Sequence, residues 1–577
     1  MMKCAILCAC AALLLLPPPL AVEAQEPPDT VRRLDPIIVS STRTGRRIED
    51  EPVRVEVVVR EEIEEKLLMT PGDIAMLLNE TGGVRIQATA PALGGAAVRI
   101  QGLRGRYAQI LSDGLPLYGE ATGLGPLQIP PMDLAQVEVI KGAASALYGA
   151  AALGGVVNLI SRRPDGDSEL LFNVTSRGGV DAVGYGSTAE AARGFTLMWG
   201  VHTQGRRDLD GDDWFDMPHY DRKTVRPRLF LGSERSPVMI TAGFTQEERT
   251  GGGRVAAARM GLDTRRLDAG IVGGTWLGAL RLSVRGSAMG QRHEHTFGTS
   301  SESDRHGSVF GEAALSGARG AHTWLVGVAV QHDSYANDDV AGFDDTATSP
   351  GVFVQDEWVV APWLSLSASA RADRSRDDVL VSPRLSVLFR PGEWSVRAAA
   401  GTGHHLPTHW IEEIDAIGLG ALSQTTELAV ERARAASLDV GREVGPVELN
   451  VTGFASIIED AVALRGLGGG ALFVANVPGQ TRTWGGEALA RLHAEGVHAS
   501  LSYTYLRATE PEPDTRGRRE VTLTPRHSAG LVVAREWEDV GRIGAEAYYT
   551  GRQQLEDNPY RATSAPYMVF GVLAERI

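Results

Sequence analysis

Four aspartates form the densest group of side chains that could do chemistry in this chain. Carboxylates at alternating positions around a tight turn are the ligands that Ca²⁺ prefers. The bidentate glutamate usual at the twelfth position of such loops is missing here. The spacing leaves two interpretations open, a structural Ca²⁺ site and an acidic loop in solvent. The candidate ligands are Asp208, Asp210, Asp212 and Asp216.

Histidines form a second group. His404 and His405 are followed closely by His409, and His293 and His295 lie two residues apart. Imidazole suits zinc, copper, iron and nickel. Because neighbouring residues of a strand point to opposite faces, His404 and His405 cannot both face one ligand. We expect these histidines in outer loops, where they either bind haem or a transition metal or remain solvated.

The motifs of common enzymes are missing from the sequence. It contains no Gly-x-Ser-x-Gly, no Walker A sequence, no dinucleotide fingerprint and no His-Glu-x-x-His. The net charge is −15 and there is no run of basic residues, which argues against a nucleic-acid partner. We therefore predict a protein that is not an enzyme and requires no cofactor.

The first 24 residues predict an export signal. Lys3 precedes an apolar run from Ala5 to Leu16, and Val22–Ala24 has the small residues of a cleavage site. All three cysteines lie within the first ten residues, so the mature chain has none for a disulfide or a thiolate metal site. No later apolar stretch reaches the roughly 18 residues needed for a membrane-spanning helix.

Alternating segments separated by turns dominate the chain after Asp165. Ala321–Val330 is an example, with large apolar residues at every second position, and Leu364–Ala370, Ala499–Tyr505 and Ile543–Tyr549 follow the same pattern. This period predicts β-strands with one apolar face. On periodicity alone, a membrane β-barrel and a soluble sandwich are equally good interpretations.

The segment before Asp165 has a different texture. Val84–Pro164 is Gly-rich and reads as short strands joined by tight turns, including an Asp113-Gly114 hairpin turn. Upstream, Arg60–Met69 predicts an amphipathic helix. A second helix is predicted with Thr70 as its N-cap and Pro71 as its first residue, and it should bury Ile74, Leu77 and Leu78.

Five stretches carry a resemblance to a known family. Glu138–Gly149, followed by Gly154–Ile160, resembles the plug domain of TonB-dependent outer-membrane receptors, as does Leu111–Pro116. Downstream, Arg397–Thr408 and Thr524–His527 are similar to barrel segments of that family. The motifs are long and occur in the family's order.

The resemblance implies a fold class. This is an all-β transmembrane barrel, of about 22 strands in such transporters, with an N-terminal α+β plug domain in its lumen. We expect a signal peptide at 1–24, a periplasmic linker at 25–46, the plug at 47–164 and the barrel at 165–577. The family's terminal aromatic residue is missing after Ala574. We therefore expect about two strands to be lacking, with a sheet edge left exposed.

A short apolar island in the linker resembles the family's TonB box. An extended island of this kind can add a strand to a partner's sheet. The alternative is that it begins the first strand of the plug. The resemblance implies TonB as the partner, with the ExbB–ExbD motor acting indirectly. The predicted TonB-binding residues are Asp35, Pro36, Ile37, Ile38, Val39 and Ser40.

The resemblance also implies a function, which is active transport of a scarce, bulky nutrient across the outer membrane by a lipid-embedded monomer. A ferric siderophore is the expected substrate, with cobalamin, haem and other metal chelates as alternatives. Two further alternatives are a signalling or adhesion receptor and a truncated remnant that does not transport. We expect the substrate between the outer loops and the plug. The predicted contacts are Gln87, Tyr118, Glu120 and Trp214.

Overall fold

A small α+β domain and a long antiparallel meander of strands make up the structure, a computed structural model. The described residues are 37–43, 45–118, 128–376, 378–466, 471–512, 517–537, 540–555 and 560–576. From Ile38 onwards they form one compact unit. The predicted signal peptide, together with Asp35, Pro36 and Glu120, lies outside the described residues.

The N-terminal domain is built on a four-stranded sheet in the order β3-β7-β8-β6, in which only β6 and β8 are parallel. Two further strand pairs, β1–β2 and β4–β5, flank this sheet. Its elements are β1 (Ile38–Val39), β2 (Arg46–Arg47), β3 (Val55–Val58), α1 (Arg60–Met69), α2 (Ala75–Asn79), β4 (Val84–Ala90), β5 (Gly95–Ile100), β6 (Ala108–Ser112), β7 (Leu134–Lys141), α3 (Ser145–Tyr148) and β8 (Gly155–Ser161).

Helix α1 occupies the predicted residues, but the predicted start of the second helix was wrong. Helix α2 begins at Ala75, because Thr70–Asp73 forms a turn in front of it. The Asp73 carboxylate accepts a hydrogen bond from the amide of Ala75 at 2.9 Å. Leu77 and Leu78 are buried as predicted, so the apolar stripe was read correctly although the cap was not.

The Asp113-Gly114 turn has the expected geometry. Both residues have positive φ, 51° and 77°, as a type I′ turn requires. The Asp113 carboxylate accepts hydrogen bonds from the amide and hydroxyl of Ser161, at 3.0 and 2.9 Å. The turn after β6 is thereby fixed to the end of β8.

The second part of the described chain is a β-barrel in which twenty-one strands form one continuous order. The short strand β28 pairs with the end of β27 beside the place where β29 pairs. The strands are β9 (Ser168–Val174), β10 (Gly179–Glu190), β11 (Arg193–Gln204), β12 (His219–Ser233), β13 (Ser236–Gly252), β14 (Arg259–Leu277), β15 (Leu280–Phe297), β16 (Ser300–Arg319), β17 (His322–Asn337), β18 (Asp345–Ala361), β19 (Leu364–Ser375), β20 (Asp378–Phe389), β21 (Trp394–His405), β22 (Glu431–Val444), β23 (Val447–Glu459), the separate pair β24 (Val462–Gly466) and β25 (Leu472–Asn476), β26 (Gln480–Ala494), β27 (Val497–Pro511), β28 (Arg518–Glu520), β29 (His527–Trp537), β30 (Gly541–Thr550) and β31 (Tyr567–Arg576).

The two ends of the barrel differ in their connections. One end has tight turns, such as 278–279 between β14 and β15, whereas the other has long connections, such as 406–430 between β21 and β22. Membrane barrels of bacteria carry their long loops on the outside. Exposed tryptophans gather at the tight-turn end, where they resemble an interfacial girdle. They are Trp276, Trp358, Trp363, Trp394 and Trp537.

The alternation read from the sequence is seen on the barrel wall. In β17 the side chains of Val326, Val328 and Val330 are exposed on the outer face, while Leu325 and Ala329 are buried. The barrel interpretation is thereby confirmed over the soluble sandwich. That strands are lacking after β31 stays a prediction. No helix within the described ranges is long and apolar enough to span a membrane.

The α+β domain lies inside the barrel and is held there by arginines of the wall. Guanidinium groups of Arg222, Arg249, Arg285 and Arg384 donate hydrogen bonds of 2.7–3.1 Å to backbone carbonyls of the domain. These arginines belong to β12, β13, β15 and β20, so contacts come from widely separated parts of the wall. Carbonyls that the small sheet leaves unpaired thereby gain donors.

Candidate functional site

A cavity of about 240 Å³ opens between the plug and the long-loop end of the barrel. Residues 105–110 and Tyr118 of the plug form its floor, strands of the barrel wall form its sides, and residues 405–415 cover it. A concave site between two structural units, lined by both apolar and polar groups, is a typical place for a small molecule to bind.

Charged and aromatic side chains line this cavity together. Three guanidinium groups are present, and each pairs with a carboxylate: Arg371 with Asp373 at 2.7 Å, Arg376 with Asp345 at 3.5 Å and Arg106 with Glu431 at 3.2 Å. Arg106 of the plug makes its contacts through Nη2, whereas its buried Nε and Nη1 have no hydrogen-bond partner. The aromatic lining residues are Tyr118, Tyr335, Phe343 and Trp410.

Tyr118 is the predicted contact that the structure places at the cavity. Its ring lies against two guanidinium groups of the wall, 5.5 Å from that of Arg226 and 5.1 Å from that of Arg266. Burial raises the pKa of the Tyr118 hydroxyl, although Arg226 acts against this rise. The phenol is therefore neutral near pH 7 and offers a ring edge and a hydroxyl to a ligand.

The cover of the cavity is fixed to the plug by ion pairs. Glu412 accepts a hydrogen bond from Arg99 at 2.6 Å and another from the amide of Gly105 at 2.8 Å. Arg104 pairs with Glu413 and, at 3.2 Å, with Glu510. Burial by itself raises the pKa of Glu412, but Arg99 and Arg104 outweigh it and hold the pKa at about 2.

The cover also has its own apolar core. Helix α4 (Ile414–Ile417) packs in this region, and strands β24 and β25 pair beside it. Side chains from three connections of the barrel meet in one cluster. The buried members are Phe343, Ile411, Ile414, Leu419, Leu422, Leu428, Val462 and Val474. This shared core joins the three connections to one another.

The predicted TonB-binding segment lies at the tight-turn end of the barrel. Ile38 and Val39 form β1, whose strand partner in the described chain is β2. The Ile38 side chain is exposed and that of Val39 is buried. The Glu138 carboxylate accepts hydrogen bonds from the amides of Ser40 and Ser41, at 2.9 and 2.6 Å. In this state the segment is docked on the plug.

The acidic loop brings three of its four predicted ligands together. Carboxylate oxygens of Asp208, Asp210 and Asp216 lie within 4.8 Å of one another. Asp212 is not part of this group, and its Oδ1 accepts a hydrogen bond from the amide of Trp214 at 2.8 Å. These carboxylates also accept hydrogen bonds from amides of their own loop, such as Gly211 to Asp208 at 2.7 Å. Calcium binding stays a prediction.

The expected loop positions were wrong for His293 and His295. His293 and His295 lie in strand β15, whereas His404 and His405 are strand neighbours, as the sequence analysis treated them, at the end of β21; all four are buried. The strands simply extend further than the sequence suggested. His405 lines the cavity, as does His409 of the loop that follows.

Gln87 and Trp214 do not line the cavity. Gln87 is buried in β4, where it accepts a hydrogen bond from Arg85 at 2.8 Å, and Trp214 is partly exposed in the acidic loop. Their role as substrate contacts stays a prediction. Sequence reasoning assigned no role to Glu138 or Glu412. The acidic pair at 412–413 was visible in the sequence, but its partner Arg99 lies 313 residues away.

Comparisons with known proteins agree with this geometry. The family model of the TonB-dependent receptor plug domain matches residues 47–156, and that of the TonB-dependent receptor-like β-barrel matches residues 160–575. The chain is 23% identical to the iron-regulated outer membrane virulence protein of Vibrio cholerae, over 91% of this chain and 86% of that protein.

The chain is also similar to a second relative and to a solved structure. The chain is 28% identical to the ferrioxamine receptor of Yersinia enterocolitica, over 37% of this chain and 30% of that protein. The crystal structure of the siderophore receptor PirA from Acinetobacter baumannii superposes with a TM-score of 0.73 at 15% identity, covering 90% of this chain and 91% of that one. Because the sequence identity is low, the superposition is evidence for the fold alone.

Proposed function

Because this chain belongs to the family of TonB-dependent receptors, which are β-barrels of the outer membrane, we propose that it takes up a ferric siderophore by active transport, driven through TonB. The names of the relatives support the substrate class, since one is a ferrioxamine receptor and another an iron-regulated outer membrane virulence protein. Cobalamin, haem and other metal chelates are the alternative substrates.

The observation that carries this proposal is the placement of the cavity. Its floor belongs to the plug, and its sides and cover belong to the barrel. The segment Ile38–Ser40 lies at the other end of the same plug and docks on Glu138. A ligand in the cavity therefore contacts the domain that also holds this segment.

The lining suits an anionic chelate with flat groups. Arg106, Arg371 and Arg376 bring guanidinium groups to the lining, and Trp410 and Tyr335 offer rings for stacking. The cavity is smaller than the 300–1,000 Å³ or so that is typical of ligand sites. A bulky chelate therefore requires the cover to move, and the shared core of the cover favours a movement as one body.

We propose that ligand binding shifts the population in which residues 35–40 are undocked. The undocked segment then adds as a strand to TonB, which the ExbB–ExbD motor energises. Strand addition uses backbone groups, so few side chains of the segment need to be specific. Pulling on the segment acts directly on the plug, because β1 and β2 continue into it.

Energised uptake tests this proposal. Cells that lack their own receptors would express the full chain and receive labelled ferric hydroxamates, ferric catecholates, haem and cobalamin in turn. The expected result is uptake of a ferric siderophore that stops when the proton-motive force is removed. Uptake of haem or cobalamin, without uptake of a ferric siderophore, would contradict the proposed substrate and identify haem or cobalamin in its place.

Two substitutions at one position separate coupling from binding. Ile38→Pro removes an amide donor that a strand pair uses, whereas Ile38→Ala keeps the backbone unchanged. We expect uptake to be lost in the proline variant and retained in the alanine variant, with ligand binding to cells equal in both. A protein that reaches the outer membrane but takes up no ligand would argue for a receptor without transport or for a remnant.

A further inference from the structure

Polar side chains face one another across strands β15 and β16 on the inner face of the barrel wall. The register pairs Gln291 with His306, His293 with Asp304 and His295 with Glu302. Five of these six residues are buried, and His306 is partly buried. Each buried polar group loses its hydrogen bonds to water, which costs free energy. A cluster of this size therefore requires partners that replace those hydrogen bonds.

Two imidazoles converge on one carboxylate at the centre of this group. His293 Nδ1 lies 2.8 Å from Asp304 Oδ1, and His295 Nε2 lies 2.9 Å from Asp304 Oδ2. One ligand atom from each of the three residues falls within 4.8 Å of the others. Ligands of a bound transition metal lie at about 2.0–2.2 Å from it. Small side-chain movements therefore suffice to bring all three donors to one ion.

Neighbouring groups add to this arrangement. The Gln291 amide contacts Nε2 of His293, the ring nitrogen that does not face Asp304. If the amide is turned so that its oxygen faces the ring, it accepts the Nε2–H of a His293 that binds an ion through Nδ1, and such contacts fix the ring orientation of metal-binding histidines. In addition, His306 Nδ1 is inaccessible to solvent and has no hydrogen-bond partner. This ring nitrogen therefore forms no competing hydrogen bond and can serve as a further donor beside the two imidazoles and the carboxylate.

We propose that His293, His295 and Asp304 bind a divalent transition-metal ion in the barrel wall, with His306 or water completing the coordination. Two imidazoles and one carboxylate suit zinc, copper, nickel or cobalt better than calcium or magnesium, which take oxygen ligands. The site differs in ligand type from the acidic loop at Asp208, which contains only carboxylates.

The position of the site gives the ion a structural consequence. Glu302, in register with His295, accepts hydrogen bonds from the amides of Leu419 and Gly420 in the cover, at 3.0 and 2.9 Å. The ring of His295 also packs 5.2 Å from that of Trp410. A metal ion that fixes His295 therefore stiffens the part of the wall on which the cover rests.

Cobalt spectroscopy and calorimetry test this site in the full-length protein in detergent. After removal of metals with a chelator, the protein would be titrated with Co²⁺ and, separately, with Zn²⁺, in the presence of excess Ca²⁺ to occupy the acidic loop. We expect one ion per chain and visible absorption bands typical of histidine-bound Co²⁺. No stoichiometric binding to the wild-type chain would overturn the proposal.

Variants then locate the site. His293→Ala and His295→Ala are expected to abolish the bands, and Gln291→Ala to weaken binding by about 10- to 100-fold. The matched control is His322→Ala, which removes a histidine that pairs with Asp356 at 2.8 Å in an exposed position. Bands that survive in His293→Ala/His295→Ala would place the metal elsewhere and contradict the proposal.

A folding control establishes whether each variant still forms the barrel. Each variant would be run unheated and heated on a detergent gel, where a folded barrel migrates differently from an unfolded chain. Should the alanine variants fail to fold, His295→Gln and Asp304→Asn keep the size and polarity of the site. We expect these two also to lose the Co²⁺ bands, and retention of the bands in both would overturn the proposal.

Discussion

The Glu138 carboxylate lies 2.9 Å from the backbone amide of Ser40 and accepts its hydrogen bond. This contact joins the central strand β7 of the plug to the segment predicted to bind TonB. Tyr148 adds a second connection, because its hydroxyl donates to the carbonyl of Ser41 at 2.6 Å. Release of the segment therefore requires charge-assisted hydrogen bonds at one carboxylate to break.

Glu138→Ala is expected to undock the segment. A hydrogen bond to a charged group contributes about 2 kcal/mol, which corresponds to a roughly thirtyfold larger undocked population. The mature chain is expected to contain no cysteine, so a spin label at Ile38→Cys reports this directly as increased mobility. Glu138→Gln is the control, since its amide oxygen still accepts one hydrogen bond. Equal mobility in all three proteins would show that Glu138 does not hold the segment.

The ion pair between Arg99 and Glu412 makes the cover sensitive to acid. The pKa of Glu412 is held at about 2, below the ordinary 4.5, so the folded state favours the charged carboxylate. The resulting stabilisation, about 3 kcal/mol, is complete above about pH 4.5 and is lost as the pH falls towards 2. A spin label at Ala416→Cys, in the exposed part of the cover, should gain mobility over that window.

Glu412→Gln provides the reference for this pH dependence. Without the charge, the label at residue 416 should already be mobile at pH 7, with little further change on acidification. A variant that stays immobile at pH 7 would show that the apolar core of the cover alone holds it down.

The acidic loop gives a test of the calcium prediction. If Asp208, Asp210 and Asp216 bind Ca²⁺, the loop at 205–218 should resist proteolysis when the ion is present at about 100 times its Kd, where binding contributes about 2.7 kcal/mol. Asp210→Asn/Asp216→Asn should remove this protection. Asp212→Asn is the matched control, because Asp212 lies outside the group. Equal protection with and without Ca²⁺ would contradict calcium binding and support the alternative interpretation, an acidic loop in solvent.

Gly114→Ala is expected to loosen the plug at its contact with the barrel. The φ of Gly114 is 77°, and a Cβ built there lies 2.2 Å from Nη1 of Arg285. The left-handed conformation costs about 1–2 kcal/mol, and the displaced guanidinium loses its hydrogen bond to the Gly114 carbonyl. Hydrogen exchange of residues 108–118 should become faster.

Gly45→Ala separates the effect of backbone strain from the effect of losing the contact with Arg285. Gly45 has a similar φ of 64°, but nothing lies within 4 Å of its added Cβ. We expect a smaller effect there, limited to the backbone strain. Equal effects at both positions would mean that the contact with Arg285 contributes nothing.

Local patterns in the sequence determined the elements of this protein and its family. Period-two alternation predicted strands such as β17, the amphipathic pattern of Arg60–Met69 predicted α1, and Asp113-Gly114 predicted a hairpin turn. Each of these depends on residues close together in the chain, whose preferences act before distant contacts form. The motif from Glu138 to Gly149 identified the plug domain from the sequence alone, because its residues are contiguous in the chain.

The tertiary structure alone decided which groups meet. Arg99 and Glu412 are 313 residues apart, and only the insertion of the plug into the barrel brings them within 2.6 Å. His293 and Asp304 face each other because β15 and β16 pair in one register, and a slip of one residue would turn one of them outwards. Register and domain insertion are set by the sum of many weak contacts, which no short stretch of sequence contains.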